Sequence, residues 1–184
     1  MGLEYGEVCQ LYQAGDMIVY GNEGVCRVVS VGTPQIAGVD RERQYYTLEP
    51  QYCDGLIFAP VDTPVHTRPV MSREEAESLI DSLPEIEAEP AHERMNVRLL
   101  NEHYRELIRT CDRHDIAKII KEVRAKRIAS QTRGGKISQV DEKYMKRAED
   151  LLYGEMSISL GIPRDEVCDY ITRRIEAMEL KKEA

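Results

Sequence analysis

The sequence predicts an α+β protein of two small domains, an N-terminal β-barrel followed by a C-terminal all-α helical bundle. Three observations carry that reading. Short runs of β-branched and aromatic residues fall between residues 15 and 70. Helical spacing of apolar residues takes over at Ser72. The charge also changes sign along the chain: residues 1–90 hold 5 Lys/Arg against 16 Asp/Glu, residues 91–150 hold 15 against 10, and residues 151–184 hold 5 against 7, within a net −8 over 184 residues. An acidic part and a basic part suit different partners, the basic part a polyanion, unless the charges are only solvated helix faces.

The strand candidates come first. Met17–Tyr20, Val25–Val31, Tyr45–Leu48 and Leu56–Ala59 are apolar, β-branched or aromatic. Between them lie Gly21-Asn22-Glu23-Gly24, Gly38-Val39-Asp40 and Cys53-Asp54-Gly55, residues that tolerate the backbone of tight turns. Short strands joined this closely predict a strongly bent barrel of the SH3 or Tudor type, over residues 13–70.

The helical half, residues 71–182, is punctuated by caps. Ser72 with Glu75 forms a capping box that opens a helix over Arg73–Leu83, and Pro84 to Pro90 makes an acidic connector. A second helix spans Asn96–Thr110, with Leu99, Leu100, His103, Leu107 and Ile108 on its inner side. Asp112 caps a third, where Ile116, Ile119, Ile120 and Val123 recur at helical spacing. Residues 130–136 read as a polar, basic loop. Ser138, with Asp141 three positions on, opens a fourth helix that buries Tyr144, Ala148, Leu151, Leu152, Met156 and Leu160 and ends at Gly161. A last helix follows Pro163, with Val167, Ile171, Ile175 and Met178 as its stripe.

Composition excludes several kinds of chemistry. The five cysteines form no C-x-x-C pair and the four histidines no H-x-x-x-H pair, so no metal site is expected. No nucleotide-binding glycine pattern or nucleophile elbow occurs, and Gly134-Gly135-Lys136 lacks the flanking residues of a phosphate loop. The carboxylates at 85, 87 and 89 lie in an exposed connector where raised pKa values are not expected. The chain therefore reads as a binding protein rather than an enzyme, with no cofactor. No run reaches the roughly 20 apolar residues of a membrane span. Residues 1–14 lack the basic start and apolar run of a secretory leader, and a reduced, cytoplasmic compartment is expected.

The basic residues of the middle section are the candidate contacts. Lys121, Arg124, Lys126 and Arg127 crowd the end of the third helix, with Arg98 before them and Lys143 and Arg147 after. Such a cluster can track a phosphate backbone by releasing counterions, although it does not read base sequence. The alternative is that many of these lysines pair with interleaved Glu122, Asp141, Glu142 and Glu149.

The order of motifs also resembles a family. Gly15-Asp16-Met17-Ile18-Val19-Tyr20, Gly24-Val25-Cys26-Arg27-Val28, Tyr45-Tyr46-Thr47-Leu48 and Ala59-Pro60-Val61 are similar to the RNA polymerase interaction domain shared by CarD, CdnL and the transcription-repair coupling factor. Arg105-Glu106-Leu107, Ile116 to Val123 and Ala148 to Glu155 resemble the helical half of the CarD-like bacterial regulators. The resemblance implies a Tudor-like barrel that docks on the RNA polymerase β subunit, partly by strand addition. It also implies a helical domain held over promoter DNA at the upstream edge of the bubble, where well-studied members wedge a Trp into the minor groove.

This chain departs from that pattern in two places. It has no Trp, and only Phe58 beside ten Tyr; within the corresponding stretch, residues 91–98, Met95 is the large apolar side chain. Basic docking residues of the family fall at Pro34 and Phe58, which leaves Arg41 and Arg43 as the compensating cations. Two functions follow. One is a regulator that contacts polymerase through Arg41, Arg43 and Phe58, and DNA through Met95, Arg98, Lys121, Arg124, Lys126, Arg127, Lys143 and Arg147. The other is an adaptor that binds only proteins. In either case a monomer is expected, with a domain-swapped dimer open.

Overall fold

A computed structural model describes residues 12–36, 38–87 and 96–183. Five strands, β1 (Met17–Tyr20), β2 (Gly24–Gly32), β3 (Tyr45–Pro50), β4 (Ile57–Pro60) and β5 (Thr67–Pro69), form one antiparallel sheet in the order β4-β3-β2-β1-β5. The four strands expected from residue type are all present. β5 is an addition: three residues ending in proline carry no alternating pattern, and only their pairing with β1, Ile18 opposite Pro69 and Tyr20 opposite Thr67, makes them a strand.

The sheet closes around a small core of Ile18, Cys26, Val28, Tyr46, Leu48 and Ala59. β2 is long because it serves two neighbours, and it bends at a register shift between Val28 and Ser30 that turns Val29 outward. The Gly15-Asp16 turn is tied to that bend. The Gly15 amide donates to the Val28 carbonyl (2.8 Å), and the Val28 amide to Asp16 (2.9 Å). Gly15 and Asp16 thus serve the barrel's architecture.

Five helices follow: α1 (Arg73–Ser82), α2 (Val97–Arg109), α3 (Arg113–Thr132), α4 (Gln139–Leu160) and α5 (Val167–Glu183). The expected capping box of Ser72 with Glu75 is complete, and the expected cap Ser138 forms a second one with Asp141; Asp112 caps α3, and Gly161 ends α4 in the left-handed conformation. The inner stripes of α3 and α4 are as the spacing predicts. In α2 the buried residues are Leu100, Tyr104 and Ile108, whereas Leu99 is 45% exposed, a correction to the expected face. The α3 helix also runs three residues into the expected loop, to Thr132. There Arg133 Nε donates to Ala129 (3.1 Å) and the Gly135 amide to Ser130 (2.8 Å), closing the helix end. Among the described residues no helix is long and apolar enough to cross a membrane.

Candidate functional site

Barrel and bundle meet on α4. At the centre of the contact Glu155, 3% exposed, accepts from Arg68 of β5 through two bonds (2.5 and 2.8 Å), from Arg113 of α3 through two (3.2 and 3.0 Å), and from the Met71 amide (3.0 Å). Burial alone would raise this carboxyl's pKa, but the two guanidinium groups outweigh it, and the group is held below its usual range. At the preceding residue barrel and bundle come closer still. A Cβ at Gly154 would sit 2.8 Å from the Tyr52 ring, whose hydroxyl donates to the Gly154 carbonyl (3.0 Å) while Arg164 stacks on the ring 5.0 Å from its centre. The stretch Ala148 to Glu155, quoted above only for its resemblance, is the surface that receives the barrel.

The expected polymerase contacts lie at the opposite edge of the sheet. β4 pairs with β3 on one side only, among the described residues, and Phe58 on it stands opposite Thr47. Arg43, at the approach to β3, pairs with Asp62 just beyond β4 and holds that carboxyl below its usual range. Arg41 is exposed two residues earlier. Arg43 and Phe58 thus flank one sheet edge, with Arg41 on the loop that leads to it.

The expected DNA contacts separate into two groups. Lys121, Arg124 and Lys126 are engaged inside the bundle. Lys121 Nζ donates to the carbonyls of Leu83 (2.8 Å), Pro84 (3.1 Å) and Ile86 (2.5 Å), closing the end of α1, and desolvation lowers its pKa. Arg124 donates to the Tyr153 hydroxyl (2.8 Å) and to Cys168 Sγ (3.3 Å). Lys126 donates to Asp141 (2.9 Å) and to the Tyr104 hydroxyl (2.9 Å), and Tyr104 donates to the same Asp141 oxygen (2.7 Å). Periodicity could not reveal this, because the acceptors come from other helices.

Arg98, Arg127, Lys143 and Arg147 remain toward solvent, Arg98 beside Glu102 at 3.1 Å. Met95 lies outside the described residues. Lys143 and Arg147 are joined by residues that sequence reasoning passed over. Arg105 and Arg109 project from α2 and Lys146 from α4, so that five cations line one open groove with Ile108, Tyr144 and Asn22, where Arg147 donates to the Asn22 carbonyl. Asp150, the acidic member of the lining, is paired with Arg164. The signal was present as two i,i+4 pairs, 105/109 and 143/147, one on each of two adjacent helices. The groove is concave, cationic and bounded by a barrel loop. Arg105, Lys143 and Lys146 pair with no carboxylate among the described residues, and a surface of this kind attracts polyanions.

Among the described residues no cluster of His, Cys, Asp and Glu could hold a metal ion. No curated protein matches the chain. Residues 12–71 match the family model described as the CarD-like/TRCF RID domain, a non-catalytic interaction domain with a Tudor-like fold. The matched span takes in all five strands, so the similarity to the CarD-like/TRCF RID domain covers the whole barrel.

Proposed function

We propose that this chain is a transcription regulator that docks on the RNA polymerase β subunit through its barrel, residues 13–70, and lays its helical domain, residues 71–182, on upstream promoter DNA, modulating open-complex stability. The domain match supports the coarser part, a transcription-related protein that interacts with RNA polymerase. Docking runs along the β4 edge by strand addition, with Phe58 and the Arg41 and Arg43 loop beside it. The regulator works as a monomer in the bacterial cytoplasm and catalyses nothing.

The observation that carries the DNA half is the groove of Arg105, Arg109, Lys143, Lys146 and Arg147 next to the Asn22 loop. Exposed Arg98 and Arg127 extend the positive surface, whereas Lys121, Arg124 and Lys126 contribute field rather than direct contacts. Calorimetry with the isolated β-subunit lobe tests the first half: Arg41→Glu with Arg43→Glu is expected to weaken binding at least tenfold, roughly 1.4 kcal/mol. Unchanged affinity would remove the barrel edge from the interface.

The adaptor reading is favoured by one observation, the complete lack of Trp. Salt separates the two. Phosphate contacts lose affinity steeply as salt rises, by close to one power of salt concentration per phosphate, and apolar protein contacts do not.

A further inference from the structure

We propose that a second cavity, on the far side of α4 from the barrel, binds a small apolar molecule that ends in a carboxylate, such as a medium-chain aliphatic acid. The cavity measures about 390 Å³ and is walled by Ala117 and Ile120 of α3, Leu152 of α4, and Ile171 and Ile175 of α5. That volume falls within the roughly 300–1,000 Å³ of small-molecule sites, which in helical proteins lie between the helices. Bundle interiors are otherwise close-packed, so an apolar space of this size beneath a terminal helix is room for an acyl chain or a ring.

Charge specifies the end group. Lys121 and Arg124 both line the cavity, and each is held by the bundle itself, Lys121 on three carbonyls and Arg124 on Tyr153 and Cys168. Two positive charges are therefore already fixed beside an apolar wall and need not be ordered when a ligand arrives. The described bonds of Arg124 all leave through Nη2. A guanidinium has five N–H donors in a planar fork, so the Nε and Nη1 donors are those that take a carboxylate. The opposing charges are Glu179, exposed on α5, and Glu149, whose carboxylate stands 3.6 Å from Arg124 Nη2 and leaves Nε and Nη1 to the ligand. A neutral apolar ligand would leave those donors to solvent, since the Arg124 side chain is 41% exposed, and a bare phosphate would leave the apolar walls uncovered.

Titration of the full-length protein with sodium decanoate, decanol and sodium acetate, read by calorimetry, tests the proposal. Decanoate is expected to bind saturably, decanol about tenfold more weakly, and acetate not at all. Arg124→Gln should bring decanoate down to the level of decanol and leave decanol unchanged. Filling the cavity by Ala117→Phe should abolish both. Ile175→Trp fills it from the half-buried side should the first variant misfold, and circular dichroism checks each fold. Equal affinity for acid and alcohol, or full decanoate affinity in Arg124→Gln, overturns the carboxylate. Absence of saturable binding at millimolar decanoate, or binding that survives the folded filled variant, overturns the cavity.

Discussion

At position 155 one carboxylate satisfies two guanidinium groups and a backbone amide that would otherwise be enclosed without partners. Removing it by Glu155→Ala leaves two half-buried charges facing each other. A loss of about 3 kcal/mol is expected in urea unfolding, the usual size for breaking a buried pair. The pH dependence has a definite sign. Because the folded carboxyl is held low, its stabilisation is complete above the ordinary Glu value near ~4.3 and is lost as pH falls through the folded value. Glu155→Gln should therefore show a shallower acid slope than the parent, measured by thermal melts from neutral to acid pH. Next to it, Gly154→Ala forces the Tyr52 ring away, since the new Cβ would stand 2.8 Å from it. A cost of roughly 1–3 kcal/mol is expected for such overpacking. Among the thiols, burial first of all pushes Cys26 up to about 12, while Cys53 is exposed. An aromatic disulfide reagent at neutral pH should label Cys53 well before Cys26.

For whole elements, local chemistry was legible and long-range pairing was not. Ser72, Asp112, Ser138 and Gly161 mark helix ends because each cap lies within a few residues of the group it satisfies. The Thr67–Pro69 strand has no such local mark, and Leu99 was assigned inward because the α2 stripe is one residue out of phase with it. The same limit governs the candidate site. Clustering in sequence picked Lys121, Arg124 and Lys126, whose partners just beyond α1 and on α4 and α5 draw them inward, and overlooked Arg105 and Arg109, which join Lys143 only when α2 packs on α4. Lys143→Glu with Lys146→Glu should therefore weaken duplex DNA binding more than Arg127→Glu does, and should flatten its salt dependence, measured by fluorescence anisotropy across a salt series.

Over the whole molecule, the barrel's free edge and the cationic groove must act at a set angle, and the α4 contact supplies it. The β5 edge is turned to the bundle through Arg68, which leaves β4 for an outside strand. Glu155→Ala should therefore lower affinity for a polymerase–promoter complex more than affinity for the isolated β lobe. Binding to both targets, measured side by side, checks this; equal losses would mean that the angle is not used.

The contact around Glu155 also sets an order in time. Its partners Arg68 and Glu155 lie 87 residues apart, and contacts between distant residues close slowly. During synthesis the chain emerges N-terminal end first, so the whole barrel leaves the ribosome before residue 155 has been added. The barrel's strands pair first, and the two arginines wait for their carboxylate. A bond completed last is absent from the folding barrier, so its loss speeds unfolding and leaves folding nearly unchanged. What Glu155 confers is persistence: once α4 has closed against the barrel, the assembled shape lasts longer, although it is reached no sooner.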